Sequence, residues 1–438
     1  MLYDGKHIII TAIILLSIAS AGGILTRYLK IPYASMLVII GLFVGIFRIF
    51  PNLKITPSLI YYVFLPVIIF EGAVNIKMRP LISNILPIGM LSIFGTIISA
   101  IFTAIIFHSV LNFPLKQSLI FGAIITPTDP ISILALLKNK ITKKAGNDGS
   151  KGNETEDKNE NIETLLTGES LFNDGISLVL FEIFLGLNLH RADLNGIFPM
   201  FNYILPIIKN STFEFLYESI GGSIVGILLG YGVSLLLYLA TDFLTEIMIS
   251  LLLAYASLTA AYYLHMSFIM AIITSGIVLA NYGFKKKRVS ARTIETFPVI
   301  IEYLTFIVNS LLFLIIGIEI NLFKIINIWF ISLFIIMLGI VSRFIAIYCL
   351  SPIINIIKNK VKFFSESLSL DKRYKRFLVF GGLKGALPIA MALSLPLNLH
   401  LRNEIIAYVF IIVLFSLTVQ AISFDFFIRK DKKIIGKQ

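Results

Sequence analysis

The sequence predicts an all-α polytopic membrane protein of about thirteen transmembrane helices, arranged as inverted six-helix repeats with broken, crossing helices 5 and 12. Three observations carry this. Of the 438 residues, 57% are hydrophobic and only 14% charged, with a mean hydropathy of +0.91; soluble domains hold about 45–50% apolar and 25% charged residues. Apolar runs of about 20 residues, the length that crosses hydrocarbon at helical rise, recur from one end of the chain to the other. Lysine and arginine are sorted between alternate loops, 27 of the 37 falling on one face.

In chain order the apolar windows cover about 8–29, 33–50, 55–75, 83–111, 116–137, 165–189, 214–240, 244–264, 267–283, 297–320, 325–351, 376–397 and 404–428. The first, "HIIITAIILLSIASAGGIL", lacks a basic segment ahead of it and is read as a span, not a leader. The basic face collects Arg27 and Lys30, Lys77 and Arg79, the Lys residues of 138–158, "KKKRVSAR", the run over 358–376 and the last ten residues. The positive-inside rule makes that face cytoplasmic, so the N-terminus is expected outside and the C-terminus inside, in a plasma (inner) membrane. The net charge of +12 thus reports orientation, and no nucleic-acid partner is expected. Cys349, the single cysteine, excludes an internal disulfide.

One soluble insertion interrupts the pattern. Residues 138–164, "KNKITKKAGNDGSKGNETEDKNENIET", hold almost no apolar side chain and are expected to form a disordered cytoplasmic loop.

Two spans cannot be continuous helices. Span 5 reads "FGAIITPTDPISILALL", with Pro127 and Pro130 around Thr128 and Asp129; span 12 reads "FGGLKGALPIAMALSLPL", with Gly381, Gly382, Gly385 and Pro388 around Lys384. If spans 1–6 and 8–13 are repeats separated by span 7, both are fifth members. The repeats start on opposite sides and are therefore inverted. Interrupted segments at matched places mark a midplane substrate site in secondary transporters.

Intramembrane charge is costly, about 2.5–3.5 kcal/mol per group on insertion scales. Here it falls on Glu71, Asp129, Glu169, Asp174, Glu302, Glu319, Arg343 and Lys384. Ser170 and Asp174, four residues apart, share a helix face, and Asn173 adjoins them. Carboxylate, hydroxyl and the carbonyls freed at Thr126 and Thr128 by the Pro-broken span suit a hard monovalent cation such as Na+. A desolvated carboxylate holds a proton or a cation, not both, and that competition couples their movements when access alternates. Glu71 is either a further ligand or an interfacial acid beside Lys77 and Arg79. Glu169 is rotated about 140° from Asp174 and calls for a cationic partner, for which Arg343 is the candidate. Lys384 either counters half-helix C-terminal dipoles or pairs with Asp129, which itself suits the crossing of the broken spans.

The motifs "TPTDPISILA", "GESLFNDGISLVLF", "SRF" and "GGLKGALPIAMALSLP", in that order, resemble the monovalent cation/proton antiporter family of Na+/H+ exchangers. The resemblance runs from "FEGAVN" to "TVQAISF" and implies a core domain with crossed spans 5 and 12 (spans 3–6 and 10–13), a dimerisation domain (spans 1–2 and 7–9), a homodimer and an elevator-like movement. It implies coordination by Asp174, Asn173, Ser170, Glu71 and the backbone of Thr128, and a Glu169–Arg343 pair. Asn173 before Asp174 resembles the electroneutral type. Lys384 stands where the family usually has Arg, keeping the charge without the bidentate fork. The expected activity is antiport of Na+ or Li+ against H+, with no cofactor; a K+/H+ or broad Na+/K+ exchanger is the alternative. An intramembrane enzyme lacks support, there being no H-E-x-x-H cluster and no Ser-His pairing.

Overall fold

The computed structural model describes residues 5–29, 31–47, 56–129, 153–187, 197–240, 242–284, 289–319, 329–361 and 369–423. Among these residues every regular element is a helix. In order they are α1 (Gly5–Leu29), α2 (Tyr33–Ile46), α3 (Pro57–Val74), α4 (Met78–Ser83), α5 (Ile85–Leu111), α6 (Leu115–Ile125), α7 (Asn153–Gly186), α8 (Ile197–Leu236), α9 (Phe243–Tyr263), α10 (Phe268–Gly283), α11 (Ala291–Glu319), α12 (Trp329–Lys360), α13 (Lys372–Phe380), α14 (Leu387–Leu393) and α15 (Arg402–Ser423). Seven of the helices are long and apolar enough to cross a bilayer. Helices satisfy every interior backbone group within the segment, which is why an apolar chain resolves into them in hydrocarbon.

Small residues set the closest packing, since lipid offers no hydrophobic drive for helix association and contact must come from close backbone approach. A Cβ on Gly41 of α2 would lie 2.2 Å from the Leu314 carbonyl of α11, and one on Gly317 would lie 2.4 Å from the Val38 carbonyl. Helix α8 carries Gly222 and Gly226 one turn apart, and a Cβ on either would fall within 2.3 Å of the Ser267 or Ala271 carbonyl of α10. These two seams fix α2 on α11 and α8 on α10 with the backbones in contact.

Span 12 is interrupted as expected, and in span 5 the helix ends at the expected break. Helix α6 stops at Ile125 and residues 126–129 have no regular structure; α13 ends at Phe380, residues 381–386 are irregular, and α14 resumes at Leu387. Pro388, in the first turn of α14, needs no backbone donor there. The remainder of span 5, with Pro130, lies outside the described residues, as do 138–152 of the polar loop.

One expectation is corrected. Residues 153–164 are helical, forming the first turns of α7. A helix already nucleated by its apolar part extends at little cost through Glu and Lys, and acidic residues suit its N-terminal dipole. Burial of Ile162 and Leu165, and a 2.8 Å hydrogen bond from Asn84 Nδ2 to Asn161 Oδ1, anchor this extension to the bundle.

Candidate functional site

The two interruptions meet. The Asp129 N–H donates to the Leu383 carbonyl at 2.8 Å, joining one irregular segment to the other by backbone alone. A Cβ on Gly385 would sit 2.8 Å from the Asp129 Cβ, so the crossing is close at the side chains as well. Lys384 is buried, and its Nζ donates at 3.2 Å to the Thr126 carbonyl just beyond the end of α6. It therefore counters the half-helix terminus, the first of the two roles the sequence left open.

The second interruption is also held from α15, at a π-helical stretch over Ser416–Gln420. The Lys384 N–H donates to Ser416 Oγ at 2.8 Å, Ser416 Oγ donates to Gln420 Oε1 at 3.1 Å, and Gln420 Nε2 donates to the Phe380 carbonyl at 3.0 Å. The irregular backbone thus finds the partners it lost with the helix.

Helix α7 presents different residues to different sides of the crossing. Glu169 accepts both arms of Arg343, Nη1 to Oε1 at 3.1 Å and Nη2 to Oε2 at 2.9 Å, while Arg343 Nε donates to the Leu378 carbonyl at 2.8 Å. A Cβ on Gly382 would lie 2.1 Å from Arg343 Nε, so glycine there leaves the guanidinium its path. Asn173 is fully engaged. Its Oδ1 accepts from Thr96 Oγ1 at 2.6 Å and Ser177 Oγ at 3.1 Å, and its Nδ2 donates to the Thr126 carbonyl at 3.1 Å and Thr128 Oγ1 at 3.3 Å. With Glu169, Arg343, Lys384, Thr96 and Ser99 it lines a small polar cavity of about 20 Å³.

Asp174, 100° further round the helix, faces another cavity of about 70 Å³, lined by Glu71, Thr128, Asp129, Thr167, Ser170 and Asn309 among others. Ser170 Oγ donates to the Thr128 carbonyl. Asp174 Oδ1 is buried and has no hydrogen-bond partner among the described residues. An unpartnered buried carboxylate oxygen is costly, unlike the satisfied groups around it. Glu71 accepts from Asn75 Nδ2 at 2.5 Å on its own helix.

Of the residues the sequence singled out, Asp174, Ser170, Thr128 and Glu71 therefore share one cavity with Asp129, while Asn173 turns away into the cavity of the Glu169–Arg343 pair. The oxygens of the larger cavity suit a small cation; among the described residues no cluster of His, Cys and acids suits a bound transition metal. Ser416, Gln420, Thr96 and Ser177 were not singled out by sequence, because a lone hydroxyl or amide residue in an apolar run carries no signal until its neighbour is known.

Two irregular segments crossed beside a buried carboxylate, within an apolar helical bundle, are the construction of an integral membrane transporter of the secondary type. The chain belongs to the sodium/hydrogen exchanger family, its residues 13–430 matching the description "Sodium/hydrogen exchanger, transmembrane". The Na(+)/H(+) antiporter ApNhaP of Aphanothece halophytica is 30% identical over 97% of this chain and 74% of its own length. The Na(+)/H(+) antiporter NhaP of Pseudomonas aeruginosa is 31% identical over 84% of this chain and 80% of its own. In fold, the chain is similar to the sodium proton antiporter MjNhaP1 of Methanocaldococcus jannaschii, with a TM-score of 0.71 at 19% identity over 98% of this chain and 99% of that one.

Proposed function

We propose that this protein is a secondary antiporter exchanging Na+ for H+, one for one, by competition of the two ions for Asp174. The observation that carries the proposal is the unpartnered, buried Oδ1 of Asp174, in a cavity that also holds the Ser170 hydroxyl, Thr128 and Glu71. A proton or a cation satisfies that oxygen, and either one excludes the other. Antiport activity in the relatives supports this reading. Ser170, the Thr128 backbone and Glu71 complete the ion's oxygen shell; Asn173 holds the interrupted backbone that shapes it; Glu169 with Arg343, and Asp129 with Lys384, set the frame around the crossing. The crossed segments belong to a core domain of spans 3–6 and 10–13, which moves against a dimerisation domain of spans 1–2 and 7–9 in a homodimer. The host membrane is a plasma membrane, with the N-terminus outside. K+ or Li+ are the alternative cations, since the ligand chemistry barely separates them.

Purified protein in vesicles tests this. A pH-sensitive dye should report proton movement on addition of Na+, then Li+ or K+, with the membrane potential clamped at zero. Absence of cation-dependent proton movement with all three ions rejects antiport.

A further inference from the structure

The cavity beside Asp174 holds two further polar side chains that the preceding roles leave unused. Thr167, on α7, is 7% exposed, and Asn309, on α11, is 8% exposed. Both line the cavity. Neither makes a hydrogen bond to any described residue, in contrast to Asn173, Ser170 and Thr126, which are all tied down. A polar side chain more than nine-tenths buried without a protein partner costs free energy unless water or a ligand meets it. Both line the cavity that also holds the Asp174 carboxylate, so a ligand entering that cavity meets them.

Helix geometry separates what each can touch. Thr167, Ser170 and Asp174 lie on one stripe of α7, but Thr167 and Asp174 are two turns apart, roughly 10 Å along the axis at helical rise. A cation's oxygen ligands stand only about 2.3–2.6 Å away even for a cation as accommodating as Ca2+. One ion cannot bond both Thr167 and Asp174. We propose that Thr167 and Asn309 are cation-contacting residues of the transport cavity: their neutral oxygens receive a partly hydrated monovalent cation in a waiting position before it reaches Asp174, and they contribute to the choice between Na+, Li+ and K+. This rests on Asp174 being the exchange site. Neutral oxygens suit the task, because they attract the cation without offering the proton a competing base.

The test uses the whole protein in vesicles, with wild type, Thr167→Val, Asn309→Leu, Asn309→Ser and Asp174→Asn. Val and Leu keep volume and remove the oxygen; Ser restores one. The expected result is an apparent KM for Na+ raised about tenfold in N309L and severalfold in T167V, with kcat within about twofold and the Na+ to K+ preference altered. N309S should recover most of the lost affinity. Unchanged KM and preference in both N309L and T167V, with wild type active and D174N inactive, overturn this inference alone. Exchange by D174N overturns instead the assignment of Asp174. Thermal unfolding in detergent identifies any variant that fails to fold; if N309L is such a variant, T167V decides by the same criteria.

Discussion

At the scale of single residues, the two carboxylates that α7 brings to the crossing, Glu169 and Asp174, differ in that one is satisfied and one is not. Glu169 receives two charge-assisted hydrogen bonds from Arg343 and lines the smaller cavity; Asp174, five residues on, keeps a buried oxygen without a partner. Neutralising them should therefore have opposite signatures. Asp174→Asn is expected to abolish cation-dependent proton flux while leaving thermal unfolding of the purified protein near or above wild type, because it removes an uncompensated buried charge. Arg343→Met should strand Glu169 at a cost of about 3–5 kcal/mol, read as a large drop in unfolding temperature, and the double change with Glu169→Leu should recover much of it. If R343M unfolds at the wild-type temperature, the pair carries no structural weight. Rotation on a helix made this division legible before any coordinates: about 140° separates Glu169 from Asp174. What sequence could not show was that Asn173, one residue before Asp174, spends its hydrogen bonds on Thr96, Ser177, Thr126 and Thr128 and lines the smaller cavity instead of the larger. A step of one residue turns a side chain by 100°, but which side holds the cavity depends on α3 and α11, remote in sequence.

Among the elements, the described helices fall largely within the apolar windows of the sequence, and helices α6 and α13 end where Pro and Gly cluster. The boundaries depart where packing overrides composition. Helix α7 begins at Asn153, inside a segment as polar as any in the chain, because a helix held by its apolar half propagates outward. Glu246 is a second such case. It sits in the first turn of α9, yet it is buried and accepts from the Ser290 N–H at 3.2 Å and Ser290 Oγ at 2.7 Å, and from Thr293 Oγ1, closing the start of α11. Composition gave no sign of it, since the basic segment before α11 hides an N-terminal cap supplied from another helix. The seam of α8 on α10 yields a sharp comparison. A valine at Gly226 would drive Cβ to 2.1 Å from both Thr274 Oγ1 and the Ala271 carbonyl, and the backbone carbonyl cannot rotate away, whereas Gly232 of the same helix has nothing within 4 Å. Gly226→Val should markedly lower the yield of folded protein and its unfolding temperature, and Gly232→Ala should be neutral or stabilising by up to about 1 kcal/mol. Equal behaviour of the two variants would mean that α8 is not held on α10 by backbone contact.

For the whole molecule, the apolar composition and the motif order made the helical class and the family legible, while the division into two cavities around the crossing was not. That division depends on which carbonyls Lys384 and Asn173 reach, 3.2 Å and 3.1 Å from the same Thr126 oxygen, and no spacing rule encodes a contact between residues so far apart in the chain. Its consequence is that the described site offers one unpartnered carboxylate oxygen facing the larger cavity, which limits what a transport cycle carries there. If Asp174 returns with a proton after delivering a cation, both journeys carry the same charge. A net charge crossing 100 mV would add about 2.3 kcal/mol, roughly a fiftyfold shift in the gradient at which flux reverses. Vesicles clamped at 0 and at −100 mV should therefore reverse at the same Na+ and H+ gradients. Competition adds a pH signature with a definite sign: protons occupy the site as pH falls, so the apparent KM for Na+ should rise, approaching tenfold per pH unit where the protonated form dominates, and level off at alkaline pH where the carboxylate is already free. A reversal point that moves with voltage would require a second charge carrier in the cycle, and a KM independent of pH would separate the proton from Asp174.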